Sequence, residues 1–390
     1  RRTTSSMSDI SSNRNRRADQ LVRASDRKYK HEAQDRKRVS LVGGRRLTHS
    51  LALRACTHQI MLDFAKLLVY PTSASDENLA MPSFHVYRSI QIDASPDKVF
   101  DAVADFGTWT TWSPWLSADP DAIVTVSDDP SSVGSVYSWQ GELIGAGEME
   151  HQRLELGRLI EDEIRIINPF RSKSKVTFEL QPDDEGTKIT WHMRGSLPWF
   201  MLWMVAKMEV FIGMDYERGL CMLKEWIETG QVQSETSVRG IESVGPLQMV
   251  GIRETCFISE IGSSMKTALE EVKQILTEHD LPSDGELITV YHKIDFKAQR
   301  FHYTTGILLA SSLANVPEGL SSWSIPAMQA LVVEHVGSYK HLGNGWNAAI
   351  QFARYKKLKQ SKIGTYEIYK NGPDQTSPDK LCTEICLPLK

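Results

Sequence analysis

The sequence predicts an α+β protein built of two folded units in series. Three observations carry that prediction. Apolar and polar residues alternate over many short runs from residue 84 onward, the period-2 signature of strands. A strand–helix–strand–strand order occurs twice within residues 245–390, an internal repeat that predicts two pseudo-symmetric halves with a cleft between them. At 390 residues the chain also exceeds what one core ordinarily organises.

Composition narrows the function. A hydrophobic fraction of 41% and a charged fraction of 24% are those of a globular protein. The overall charge of −4 divides unevenly: residues 1–80 carry a net +8 and the remainder −12. An acidic folded part is a poor partner for nucleic acid, so no direct nucleic-acid binding is expected of it. The five cysteines (Cys56, Cys221, Cys256, Cys382, Cys386) form no CxxC pair, and no secretion signal is visible. A disulfide framework is therefore not expected, and the cytosol is the expected compartment. Cys382 and Cys386 share a strand face, but no neighbouring His or Cys completes a metal set, and no cofactor is expected. No apolar run reaches membrane-spanning length; Trp199–Ala206 is cut short by Lys207 and Glu209.

Residues 1–83 differ from the rest. Arg14-Asn15-Arg16-Arg17, Arg27-Lys28-Tyr29-Lys30, Arg36-Lys37-Arg38 and Arg45-Arg46 are basic clusters with few apolar residues between them, which predicts disorder. A nucleic-acid arm and a transit peptide are two readings, and Asp9, Asp19, Asp26, Glu32 and Asp35 argue against the second. The third is read-through upstream of a start at Met81, which directly precedes the first strand. This third account is the expectation, although the sequence itself does not decide among the three.

Phe84–Ile92 alternates as a strand. Ser95-Pro96-Asp97 then opens a helix with an N-cap serine, a proline at the first helical position and an acid in the first turn. An aromatic turn, Trp109-Thr110-Thr111-Trp112-Ser113-Pro114-Trp115, leads into strands at Ala122–Val126, Gly134–Gln140, Gly147–Leu154, Leu159–Ile167, Lys173–Gln181 and Thr187–Gly195. A long helix near Trp199–Glu228 closes this first domain, 84–230. Trp112, Trp115, Trp139, Trp191, Trp199 and Trp203 are candidates for the lining of an apolar cavity; the alternative is that most are core. His151 and His192 stand alone in sequence and give no acid–base set.

The Gln-, Ser- and Gly-rich stretch 231–244 reads as a linker. The second domain, 245–390, takes strands at Leu247–Ile258, Leu287–His292 and Arg300–Ala310, with a helix marked by Met265, Ala268, Val272 and Leu276. The order returns as a strand at Ala327–Val336, a helix marked by Leu342, Trp346, Ala349 and Ala353, and strands at Thr365–Tyr369 and Leu381–Leu387. Within Thr365–Tyr369, Glu367 shares a face with Thr365 and Tyr369. Its carboxylate either faces solvent or pairs with a lysine of Lys356–Lys362, or it lies inside, where a bound cation would compensate it. Gly343-Asn344-Gly345-Trp346-Asn347-Ala348 imitates a dinucleotide fingerprint but lacks the βαβ context and the ribose-binding acid. His335 and His341 near Glu334 have no spacing that closes a metal site.

Two resemblances follow from these residues. "ASPDKVFDAVADFGTWTTWSPW", the strand run, and a helix ending "DYERGLCMLKEWIE" resemble the polyketide cyclase/START-like (SRPBCC) superfamily over about residues 84–230. That implies a helix-grip fold, a curved antiparallel sheet around the closing helix, and says little about ligand or reaction. "QALVVEHVGSYKHLGNGWNAAIQFA" with "YEIYKNGPDQTSPDKLCTEICLPL" resembles the GyrI-like small-molecule-binding domain, the effector-binding module of AraC-type and multidrug-sensing activators. The likeness rests on His335-Val336-Gly337-Ser338-Tyr339, Trp346, Glu367-x-Tyr369 and Thr383-Glu384-x-x-x-Pro388; the family usually has Pro where Ser338 stands. It implies that Glu367 sits at the base of a cleft facing hydrophobic cations. Tyr339, Trp346 and Tyr369 are then wall residues, with Tyr291 and Tyr303 added on strand position. A small hydrophobic or cationic ligand is the expected partner. Two enzymatic readings stand beside binding: a hydrolase using Glu367 and Tyr369, or a cyclase in the START-like half. A gyrase-inhibitor-like protein partner is the remaining one. The activators carry a helix-turn-helix domain ahead of this module, where this chain has a START-like domain.

Overall fold

The structure, a computed structural model, describes residues 83–390 apart from 170, 197–204, 258–259, 296–297 and 299. The basic stretch with Met81 lies outside the described residues, as do Trp199 and Trp203.

The first domain is a seven-stranded antiparallel sheet. Its strands are β1 (Ser83–Ile92), β2 (Ile123–Val126), β3 (Val136–Gly141), β4 (Gly145–Glu155), β5 (Leu159–Asn168), β6 (Ser172–Asp183) and β7 (Gly186–Ser196). They run in the order β1-β7-β6-β5-β4-β3-β2, so hairpins join every strand from β2 to β7 and β1 returns to pair with β7. Helix α1 (Pro96–Ala104) starts where the sequence places it: Ser95 Oγ accepts from the Lys98 amide, and Val99, Phe100 and Val103 are buried. A short helix α2 (Trp109–Trp112) follows, and the long helix α3 (Val205–Thr229) closes the domain along β1, where Arg88 donates to Glu217 at 2.6 Å.

Aromatic rings join the helices to the sheet. Trp191 of β7 stacks on Tyr216 of α3 at 3.9 Å between centroids and lies 4.9 Å from Phe178 of β6; Trp112 of α2 meets Trp191 edge-on at 5.9 Å. Edge and offset arrangements of this kind add to simple burial.

The second domain is an eight-stranded antiparallel sheet formed by β8 (Ser234–Val244), β9 (Leu247–Phe257), β10 (Leu287–Asp295), β11 (Arg300–Leu309), β12 (Ser321–Ile325), β13 (Met328–Gly337), β14 (Thr365–Tyr369) and β15 (Cys382–Pro388). The order is β12-β9-β11-β10-β14-β15-β13-β8. Helix α4 (Ile261–Glu278) follows β9 and packs on β9 and β11; helix α5 (Leu342–Tyr355) follows β13 and packs on β13, β8 and β15. The central pair is β10 with β14, where Thr289 faces Glu367. Both sheets, with few helices, are consistent with the helix-grip and GyrI-like folds.

The stretch read as a linker departs from expectation. Residues 234–244 form β8, which pairs along β13, so the second sheet begins well before residue 245. Polar composition argued for a loop, but an edge strand tolerates polar residues on its free side. Every second residue of β8 is half-buried, and Gly240 takes φ +103° beside the irregularity between Val332 and Val333. Strand β12 was likewise not expected.

Candidate functional site

Strand β14 is five residues long and buried along nearly its whole length. Alternation splits its side chains. Tyr366 and Ile368 join a cluster with Met249, Ile288, Val290, Val332 and Cys386, while Tyr369 joins the cluster beneath α5. Glu367 lies on the Tyr369 face and is 0% exposed. The solvent-facing alternative for Glu367 is thereby corrected: Tyr291, Tyr369 and Trp346 of α5 cover that face of β14.

Three neutral donors hold the carboxylate. Tyr291 donates to Oε2 at 3.0 Å, Tyr369 donates to Oε2 at 2.5 Å, and the Trp346 indole N–H donates to Oε1. They come from β10, β14 and α5, so three elements meet at one carboxylate. Burial drives the Glu367 pKa up; the bonds from Tyr369, Trp346 and Tyr291 pull it back without cancelling the rise. The same burial, followed by the Glu367 charge, pushes the Tyr291 and Tyr369 phenols well above 10. They are therefore protonated donors at neutral pH.

Tyr339, half-buried, meets Tyr369 edge-on at 5.7 Å and 81°. Burial and then Glu367 push its phenol up to about 12. Tyr291 is edge-on to Trp346 at 5.8 Å and lies 6.0 Å from Phe301. Tyr303 is the cross-strand partner of Tyr291, but its hydroxyl pairs with Ser264 at 2.6 Å, which places it one ring away from the carboxylate. A cavity of about 550 Å³ lies at that outer end, lined by Glu254, Cys256, Phe257, Glu260, Ser264 and Arg300, and does not include Glu367. The convergent polar chemistry lies at the Glu367 cluster rather than in that cavity. Sequence reasoning missed Phe301, Thr289 and Thr305. The two threonines bond to each other at 2.8 Å beneath the cluster, and only strand register signals them.

In the first domain, Trp112 and Trp191 are 0% and 1% exposed and fill the aromatic core; they are core residues rather than the lining of an open cavity. Trp115 and Trp139 are half-buried against that core, and Trp115 donates to Asp215 at 3.1 Å. His151 is not isolated, contrary to its reading from sequence. It is fully buried, with Nδ1 2.6 Å from Asp162 Oδ1, Nε2 2.8 Å from the Ala104 carbonyl, and Phe106 stacked on it at 3.8 Å. Eleven residues of separation across a hairpin hid this pair. His192 likewise lies 3.0 Å from His85. Gly343, Asn344 and Gly345 lie in the first turn of α5, which packs on an antiparallel sheet; among the described residues no parallel strand pair makes a nucleotide crevice. Among the described residues no group of three or more His, Cys, Asp or Glu is arranged to hold a metal. No helix among them is long and apolar enough to cross a membrane.

Comparison with known proteins now adds to the geometry. Residues 240–390 match the family described as GyrI-like small molecule binding domain. Residues 83–228 match the family described as polyketide cyclase / dehydrase and lipid transport. No curated protein matches the chain. Among solved structures, protein CV1439 from Chromobacterium violaceum is 16% identical, covering 37% of this chain and 98% of that one, with a TM-score of 0.30. Protein SA2116 from Staphylococcus aureus is 12% identical over 39% and 98%, with a TM-score of 0.33. EcmrR, solved in a complex with DNA, is 17% identical over 45% and 64%, with a TM-score of 0.34. The chain thus joins a domain that resembles the polyketide cyclase/START-like superfamily to one that resembles the GyrI-like small-molecule-binding domain.

Proposed function

We propose that the second domain captures small hydrophobic cations at Glu367, and that the chain serves in effector sensing or in drug and toxin sequestration. The single observation that carries this reading is a fully buried carboxylate held, among the described residues, by the uncharged donors Tyr291, Trp346 and Tyr369. Such a group keeps a strong unmet attraction for positive charge, and the rings around it add cation–π attraction. The pairing of Thr289 with Glu367 at the centre of the sheet supports two duplicated halves with the site between them. The acidic folded part supports action without direct contact to nucleic acid and, with no cysteine framework, a cytosolic setting.

The test is quenching of tryptophan fluorescence by tetraphenylphosphonium and by neutral triphenylphosphine oxide, since Trp346 touches the carboxylate. The cation is expected to quench saturably, and Glu367→Gln to weaken it at least tenfold, about 1.4 kcal/mol. Quenching indifferent to ligand charge and to Glu367 would overturn the reading and turn the search to the START-like domain.

A second reading is supported by the raised proton affinity of Glu367 beside the Tyr369 hydroxyl. A carboxyl so tuned acts as a general acid or base on a reactive electrophile. Turnover of such a compound, lost in Glu367→Gln, would favour hydrolysis over storage.

A further inference from the structure

Helix α5 is buried on two sides. Leu342, Trp346, Ala349, Ile350 and Ala353 share a cluster with Leu331, Val333 and Ile385 of its own sheet. Asn344 is nevertheless 2% exposed, and residues of the first domain meet it. Arg218 of α3, itself 2% exposed, donates from Nη1 to Asn344 Oδ1 at 2.9 Å and to the Pro114 carbonyl at 2.7 Å. Asn344 Nδ2 meets Met222 Sδ at 3.3 Å. His341, at the head of α5, lies 2.9 Å from Glu225 Oε2. Ala118, in the loop after Trp115, is buried in the same cluster as α5. The first turn of α5 is thus gripped from behind, two residues ahead of Trp346.

The grip is stiff for an electrostatic reason. A buried guanidinium is tolerated only while its donors are met. Arg218 meets them with Asp215, Pro114 and Asn344, so α5 cannot shift without stranding part of that charge. The same Asp215 accepts from Trp115, whose ring lies edge-on to Trp191 at 5.9 Å, in the aromatic core of the first domain. Contacts therefore run from that core to Asn344, and the backbone of α5 carries the link two residues on to the indole that bonds Glu367.

We propose that Arg218 and Asn344 are positioning residues for the Glu367 site, through which the START-like domain sets the placement of Trp346 and so the affinity of the second domain for its cation. This rests on the reading of Glu367 as the ligand site. Linkage makes the effect reciprocal: a molecule that displaces Asp215 or Arg218 in the first domain changes cation binding, and the cation changes its binding in return.

The experiment uses the full chain and tetraphenylphosphonium. Asn344→Ala removes the acceptor for Arg218, and Asn344→Asp keeps one. Affinity is read by titration. The Trp346 emission is read without ligand, as the difference between each protein and its Trp346→Phe counterpart. Asn344→Ala is expected to weaken binding about tenfold and to red-shift the Trp346 component, with Asn344→Asp restoring both. Unchanged affinity and emission in Asn344→Ala would overturn the proposal. If the wild-type chain ignores the cation, or Glu367→Gln binds it equally well, the Glu367 reading fails. The ligand-free emission then still decides the grip: a shift restored by Asn344→Asp supports it, and no shift overturns it. Should Asn344→Ala fail to fold, Glu225→Gln at the half-exposed edge of the contact carries the test, with the same directions expected and no change overturning it.

Discussion

Glu367 and Asp162 are both carboxyls whose proton affinity burial raises, yet their surroundings differ. Asp162 has a histidine against one oxygen, and both nitrogens of His151 are engaged, so the pair is a structural unit of the first core. Replacing His151 with Ala leaves Asp162 buried without its partner and is expected to cost about 3–5 kcal/mol in urea unfolding. Glu367 has neutral donors among the described residues, and its pH behaviour follows. Its folded pKa lies above the ordinary 4.5, so the folded state holds the proton longer than the unfolded chain. Its contribution to stability is greatest below 4.5 and falls as pH rises through the elevated value. Glu367→Gln is therefore expected to gain stability relative to wild type with rising pH, read as the difference in Tm between the two across pH 4 to 8, roughly the span such buried carboxyls titrate over. Cation affinity in the wild type runs the other way and increases as the carboxylate forms. A flat difference in Tm would mean that Glu367 is not the buried acid described.

At the scale of elements, α5 shows packing overriding propensity. Gly345 lies in its first turn, where Ala would ordinarily favour the helix by up to about 1 kcal/mol. A Cβ there would stand 2.6 Å from Ile385 Cδ1 and 3.3 Å from His335 Cβ. Gly345→Ala is accordingly expected to destabilise the chain by about 1–3 kcal/mol and to push Trp346 away from Glu367, visible by denaturation and by emission. Gly345, part of the run that imitates a nucleotide motif in sequence, thus serves close approach of helix to sheet. Helix α1 obeys its local signals, and Ser95→Ala is expected to cost about 0.5–1 kcal/mol by thermal unfolding. Strand β8 went unread because its polar composition resembles that of a loop, and only pairing with β13 distinguishes the two.

At the scale of the molecule, the contact of α3 with α5 links two domains that the sequence presents as separate. Its ionisable edge is Glu225 with His341. Burial pushes the Glu225 carboxyl up, but the His341 bond and charge and the Gln233 amide together hold it below its ordinary value. The stability it contributes is therefore present above pH 4.5 and lost as pH falls through the lowered pKa. Calorimetry at neutral pH is expected to show one cooperative transition, and Arg218→Ala to split it in two as the domains melt separately. One transition in both proteins would mean that the contact does not couple the folding of the domains.

By itself the sequence determined the two family resemblances in series, most strands and the α1 cap, and it singled out Glu367, Trp346 and Tyr369 as residues to watch. Those features are written in short-range alternation, capping chemistry and local motifs, which act within a few residues. Tertiary structure alone decided that Tyr291 is a donor to Glu367 while Tyr303 turns to Ser264, that His151 has Asp162, and that Trp112 and Trp191 are core. It alone decided that Arg218 meets Asn344 across 126 residues of chain. The physical reason is that these outcomes depend on strand register and on the packing of one element against another. A one-residue shift of register would exchange every inward side chain for an outward one, and nothing local to those residues records which shift is made.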